Sequence, residues 1–236
     1  MKFLSPFGRE TRLSLRSKFL WLMTAVLFLV FAVFRFLSPE SAPPQREALL
    51  IGDSRTVGLA EQGKLEEADF FASVGMTAHR VLCEVVSVPH VGKLDLKTLL
   101  EVRSYDKIYI TLGINELDRP PEETADCFRV LLDTVQTLQP RARVILMGNI
   151  HVTALRSRTD PCYNNPAIDH LNGVISQLAE EYNLLYLDPN ILTDDACGGL
   201  DPRKSADNAH LTGQEYRRWG AWLRQQTAAA WEEANP

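Results

Sequence analysis

The chain has 236 residues, 45% hydrophobic and 23% charged, with a formal net charge of −5, enough for one domain of ordinary size and a short extra segment. Residues 1–37 contain six basic side chains and one acidic, a charge of +5 that leaves −10 on residues 38–236. So acidic a body argues against binding of nucleic acid or of an anionic membrane surface, and no block of like charge suggests an interaction tail.

The N-terminal segment comes first in chain order. Phe19 to Phe34 is uninterrupted by charge, and Phe36 and Leu37 extend it past Arg35. Its eleven Leu, Val and Phe residues contribute roughly −3 to −7 kcal/mol to insertion, against at most about +3 kcal/mol for an arginine at the edge. Lys2, Arg9, Arg12, Arg16 and Lys18 precede it against Glu10 alone, so the positive-inside rule puts residues 1–18 in the cytoplasm and exports the domain beyond the apolar run. A cleaved signal peptide is the competing reading. Glu40 and Ala42 fit its small-x-small site poorly, and no cysteine stands there for lipid attachment. The expectation is therefore an uncleaved transmembrane helix over 19–37, a Pro-rich linker over 38–47, and a domain over 48–236.

Within that domain, strand-like runs at 48–52, 71–74, 107–113, 143–150 and 184–188 alternate with helical patterns near 77–88, 122–138, 166–183 and 213–232. Such alternation predicts crossovers and a parallel sheet covered on both faces. Asn165-Pro166 reads as an N-cap with proline at the first helical position, after which Ile168, Leu171, Ile175, Leu178 and Tyr182 recur every three or four residues. Thr212-Gly213-Gln214-Glu215 reads as a capping box.

Five residues at strand ends or in the last loop carry the chemistry. Ser54 follows the first strand in Gly52-Asp53-Ser54-Arg55, and Asp207-Asn208-Ala209-His210 sets a carboxylate three residues before a histidine. A serine hydroxyl is a weak nucleophile that needs a base, and the base needs a group to fix its tautomer. His210 and Asp207 fit these roles; His79, His90, His151 and His170 have no aspartate three residues upstream. Acyl transfer also needs donors for the developing oxyanion. Gly75, after Phe70–Val74, and Asn115, after Ile108–Ile114, are the candidates, the glycine because its bare backbone N–H can approach a substrate closely.

These residues resemble the GDSL/SGNH hydrolase family over roughly residues 48–230: Ser54 in Gly-Asp-Ser, Gly75, Asn115 in Gly113-Ile114-Asn115-Glu116, and His210 in Asp-x-x-His. Glu116 stands where that family usually has aspartate. The resemblance implies a three-layer α/β/α sandwich with a five-stranded parallel sheet in flavodoxin-like order 2-1-3-4-5. It also implies an oxyanion hole made of the Ser54 N–H, the Gly75 N–H and the Asn115 side chain, and chemistry that needs neither metal nor organic cofactor. Substrates in that family include lipids, thioesters and acylated sugars.

The loops 151–164 and 189–210 are long for this architecture and are expected to rim the site, with Arg156, Arg158, Tyr163, Asn164 and Arg203 as candidates to meet substrate. Cys83 and Cys127 read as buried thiols on helices, while Cys162 and Cys197 lie in the two long loops, where a disulfide could join them. The expected activity is hydrolysis of O-acyl esters, acetyl foremost, on a cell-envelope or extracellular glycan. An O-acyltransferase acting on wall sugars and a non-catalytic glycan-binding module are the alternatives. If the N-terminal reading holds, the protein will stay in the membrane fraction after an alkaline wash, and protease added to intact cells will digest the region after residue 40. A secreted product beginning near Ala42 would instead show signal-peptide cleavage.

Overall fold

The computed structural model describes Gln45–Ala234, together with Met23, Thr24 and Val26. The chain divides into two units, Met1–Ala42 and Pro43–Pro236. The expected transmembrane helix over 19–37 lies outside the described residues but for those three, which are helical. Among the described residues no helix is long and apolar enough to cross a membrane.

The second unit is built on five strands, β1 (Gln45–Gly52), β2 (Ala68–Ala72), β5 (Ser104–Thr111), β6 (Arg143–Met147) and β7 (Leu185–Leu187), all parallel in the order β2-β1-β5-β6-β7. This is the expected flavodoxin-like arrangement. Alternate residues of the strands feed two cores. Leu49, Ile51, Ile108 and Ile110 pack with Leu99 of α2 (Leu96–Val102), Phe128 of α3 (Pro121–Leu138) and Ile175 of α5 (Asn165–Glu181). Leu50, Tyr109, Ile145 and Met147 face the other way, against Leu59 of α1 (Ser54–Gln62) and Trp219 and Leu223 of α7 (Gly213–Ala234). Helices therefore cover both faces, as burial of an all-parallel sheet requires. α5 buries the expected stripe of Ile168, Leu171, Ile175 and Leu178.

Several elements differ from expectation. The helix predicted over 77–88 is instead a short run of turns, with Val81 N–H donating to Thr77 O at 3.0 Å and Glu84 N–H to Arg80 O at 2.9 Å. It gives way to a hairpin of β3 (Val85–Val88) and β4 (Gly92–Asp95). The β-branched run Val85-Val86-Ser87-Val88 alternates exposed and buried, the strand period, and this outweighs the weak helical pattern. β6 stops at Met147 rather than residue 150: Gly148 N–H still donates to Leu187 O at 2.9 Å, but both backbone groups of Asn149 are met by asparagine side chains. The N-cap of α5 is Asn164, one residue earlier than predicted, its side chain accepting from Ala167 N–H at 3.1 Å.

The capping box at Thr212 is not closed. Thr212 N–H donates to Lys204 O at 2.9 Å, and the Glu215 carboxylate turns to Arg218 at 3.1 Å. The antiparallel bridge between Ser205 and Leu211 draws this backbone into the preceding loop. The cysteines also depart from expectation. All four are free, so Cys162 and Cys197 form no disulfide; Cys83 is exposed in a turn, and Cys127, on α3, is partly buried. The long loops are not featureless either, for they contain α4 (Ala154–Thr159), α6 (Asn190–Thr193) and a 3₁₀ turn at Pro202–Lys204.

The helices α1 and α7 are in direct contact, which ties the element after Ser54 to the element after His210. At their crossing Gly220 lies so near Gly63 that a Cβ on Gly220 would collide with the Gly63 carbonyl oxygen, a backbone atom that cannot turn aside. Gly220→Ala should therefore force the helices apart and cost roughly 1–3 kcal/mol. Urea unfolding of the two proteins measures this, and equal midpoints and slopes would show that the crossing tolerates the methyl group.

Candidate active site

Ser54 is the first residue of α1, directly after β1. Asp53 is the N-cap of that helix, its Oδ1 accepting from Arg55 N–H at 2.8 Å, and is fully buried. Burial pushes its carboxyl upward in pKa, against the opposing pull of Arg55 and His210. The Gly-Asp-Ser turn is thus a helix cap, and it also presents the serine to the end of the sheet. Ser54 Oγ lies 2.9 Å from His210 Nε2, across 156 residues of sequence. His210 Nδ1 lies 2.7 Å from Asp207 Oδ2, while Asp207 Oδ1 accepts from the backbone N–H of His210 at 2.7 Å and of Ala209 at 3.0 Å.

Partial burial alone would raise the pKa of Asp207, but these two amides and the His210 ring outweigh it and hold the carboxyl at about 2. Asp207 is therefore a carboxylate throughout the neutral range. It can fix a proton on His210 Nδ1 and leave Nε2 free to accept from the serine.

Gly75 adopts a positive φ of 75° just after β2, a backbone conformation that disfavours any side chain. The Asn115 Nδ2 donates to Met76 O at 3.0 Å, so the predicted oxyanion pair is tied together. An amide nitrogen carries two hydrogens, and one is left for another acceptor. The Ser54 N–H belongs to the first turn of α1, where N–H groups have no partner within the helix and the dipole favours negative charge. Ser54, Gly75 and Asn115 follow β1, β2 and β5, three adjacent strands of one sheet.

The other candidates separate. Arg156 lines an open cleft of about 420 Å³ with Leu155, Asp160, Asp207 and Asn208. Its guanidinium lies 4.9 Å from the centre of the Tyr163 ring and 3.3 Å from Asp160. Tyr163 also lies 5.9 Å beneath the Arg55 guanidinium. Arg158 is exposed on α4. Asn164 is engaged as a helix cap and by Pro161 O, and Arg203 is held by Asp201 at 2.6 Å. A second cleft of about 350 Å³, beside Leu65, Tyr109 and Leu223, holds none of the residues around Ser54.

Sequence reasoning passed over the residues that hold this loop. Arg55 is almost wholly buried, and its Nε and Nη2 donate to Ala209 O at 3.3 and 3.2 Å, gripping the backbone next to His210. Thr153 donates to Asn208 through both backbone and side chain, at 3.0 Å each. The strand-end loop 148–153 is in turn held by buried asparagines: Asn172 and Asn190 on Asn149 O, Asn165 on both polar groups of Val152, and Asn190 on His151 N–H. His151 is buried with Nδ1 2.8 Å from Asp194 and Nε2 2.8 Å from Asp169. Its partners lie 43 and 18 residues away, so no local motif announces it.

The GDSL-like lipase/acylhydrolase family matches residues 50–218. The chain belongs to this family. It is accordingly a hydrolase of ester bonds. No curated protein matches the sequence at a significant level. Among solved structures, a GDSL-like lipase from Bacteroides thetaiotaomicron is similar at a TM-score of 0.60 and 16% identity, over 78% of this chain and 89% of that one. An acetylxylan esterase from Geobacillus stearothermophilus is similar at 0.54 and 20% identity, over 77% and 94%. A carbohydrate acetylesterase from Sinorhizobium meliloti is similar at 0.51 and 17%, over 78% and 99%.

The imidazole of His151 has a carboxylate on each ring nitrogen, an arrangement that favours the imidazolium because it can donate to both. Burial opposes this, but the hydrogen bonds that the ring donates to Asp194 and Asp169 prevail and raise its pKa above the usual histidine value. A raised folded-state pKa gives stability that is complete below the unfolded pKa of about 6.5 and is lost as pH rises through the folded value. We expect His151→Gln to cost roughly 3 kcal/mol at pH 6, the lower end for a broken buried pair because Asp169 is 66% exposed. The deficit should shrink at alkaline pH. Urea unfolding at pH 6 and pH 9 reads both effects, and a pH-independent difference would exclude a charged His151.

Proposed function

We propose that the protein is a serine esterase that removes O-acyl groups, acetyl foremost, from cell-envelope or extracellular glycans. The observation that carries this reading is the unbroken hydrogen-bonded chain from Ser54 Oγ through His210 to Asp207. In the reaction Ser54 Oγ attacks the acyl carbonyl carbon while its proton passes to His210 Nε2. The carbonyl oxygen becomes an oxyanion, held by the Ser54 N–H, the Gly75 N–H and the second hydrogen of Asn115 Nδ2. Collapse breaks the ester C–O bond, and His210 gives its proton to the departing sugar hydroxyl. A water then loses a proton to His210 and attacks the acyl-serine, releasing free acid and restoring Ser54. Asp207 holds the imidazole and offsets the charge of the imidazolium.

Acylated carbohydrate as substrate is supported by the two carbohydrate esterases among the similar folds and by the open polar cleft at Arg156 and Asp207. Hydrolysis is favoured over transfer because the side chains of His210 and Asp207 are 39% and 55% exposed, leaving the site open to water. A purely glycan-binding role would not require Ser54, His210 and Asp207 to be in register. Attachment to the membrane through residues 19–37, with the catalytic unit outside, is part of the proposal and rests on the apolar run and its basic flank. That placement would bring the enzyme to surface polymers.

Short-chain aryl esters and acetylated glycans should be cleaved by residues 40–236, with acetyl preferred. Ser54→Ala and His210→Ala should each lower kcat by about 10⁴-fold or more, and Asp207→Ala by less, because such groups act as one unit. Circular dichroism should remain that of the parent. Retention of more than a tenth of the activity in Ser54→Ala, free of contaminating esterase, would remove this mechanism.

A further inference from the structure

The turn after β2 is held from across the sheet. β2 and β5 lie on opposite sides of β1, so the loops leaving them are two strand spacings apart, about 9.5 Å, with Ser54 between them. Two consecutive residues after β5 bridge that gap. Asn115 donates to Met76 O at 3.0 Å, and the Glu116 carboxylate accepts from Ala78 N–H at 2.9 Å and from His79 N–H at 3.2 Å. The His79 Nε2 approaches the same carboxylate at 3.4 Å. Glu116 is only 3% exposed and Asn115 is at the surface, as expected if one is the brace and the other meets the substrate.

The amides of Ala78 and His79 lie in the first turn of the 77–84 segment, where N–H groups have no local acceptor. A carboxylate that takes both makes two charge-assisted bonds and fixes the turn in position and orientation. Gly75, three residues earlier, is fixed with it.

We propose that Glu116 is a positioning residue of the oxyanion hole, setting the spacing between the Gly75 N–H and the Asn115 amide; this rests on the oxyanion roles given above. The glutamate is one carbon longer than the aspartate usual at this place in the family, which suits the span from the end of β5 to the turn after β2. Glu116 touches no reacting atom. Its effect is on where two donors point when charge develops on the substrate, so it belongs to kcat rather than to ground-state binding.

The test is steady-state hydrolysis of a short-chain aryl ester by Glu116→Ala, Glu116→Gln and Glu116→Asp, alone and with Asn115→Ala, beside Ser54→Ala. Glu116→Ala should lower kcat about 30-fold with KM within about threefold of the parent. Glu116→Gln, which keeps one acceptor but turns an NH₂ group towards an amide N–H, should lose about tenfold with little change in Tm, so the inference stands on this variant if the alanine protein does not fold. Glu116→Asp should recover only part of the loss. With Asn115 already replaced, the further loss from Glu116→Ala should fall below about tenfold, because one of its two dependents is gone. A Glu116→Gln protein with parental kcat, or losses that multiply in the double variant, would overturn the proposal. Activity surviving in Ser54→Ala would instead bring down the reading of the site itself.

Discussion

The parallel pairing of β1 with both β2 and β5 is the constraint on which the site depends. Gly52 pairs with Ala72 on one side and with Thr111 on the other, so the three strands end level. Each then turns into a loop that carries one functional group, Ser54 two residues beyond Gly52, Gly75 three beyond Ala72, and Asn115 four beyond Thr111. A one-residue slip in either pairing would exchange the buried and opposite faces of a whole strand. The separation of Leu49 and Ile51 from Ala48 and Leu50 into different cores forbids it. Core packing and active-site geometry are in this sense one requirement.

The proposed base, His210, is brought in by a different means. Asp207 and His210 lie on no strand or helix, and irregular backbone has no ladder to satisfy it. Here its polar groups are met by Arg55, by Thr153, and by a turn closed between Ala206 N–H and His210 O at 2.8 Å. Thr153 is itself on a loop fixed by three asparagines and by His151, all buried. Each of these interactions is worth little net while made, yet leaving a buried partner unpaired costs about 1–3 kcal/mol. A loop secured by many such bonds resists displacement even though few of its side chains are apolar. Asp207 gains its low pKa largely from the Ala209 and His210 amides of this loop, so the loop's conformation and its electrostatics have a common source.

Much of the arrangement was legible in sequence because its signals are local. The strand-like runs are apolar stretches of four to eight residues, α5 shows a 3.6-residue stripe, and Asp207 and His210 are close enough to share one turn. The Gly-Asp-Ser turn caps α1 through Asp53 and sets Ser54 Oγ 2.9 Å from His210 Nε2, where the proposed nucleophile has to be. The misreadings have local causes too. In 77–88 helical and strand periods overlap, and only packing of Val86 and Val88 into the core decided for strand. At Thr212 the capping-box residues are present, but a bridge between Ser205 and Leu211 uses the backbone differently.

The sequence by itself determined the alternation of elements, the family, and the identity of the groups at the strand ends, since each of these is written in residues that are neighbours along the chain or one helical turn apart. The tertiary structure alone decided which charges turn inward and which partners they find. Arg55 adjoins Ser54 yet reaches Ala209, Glu116 adjoins Asn115 yet holds Ala78 and His79, and His151 bridges Asp169 and Asp194. A buried charge is tolerated only where partners surround it, and those partners come from segments 18 to 154 residues distant. No pattern within one segment encodes that distance; it is fixed by the order in which the strands lie in the sheet.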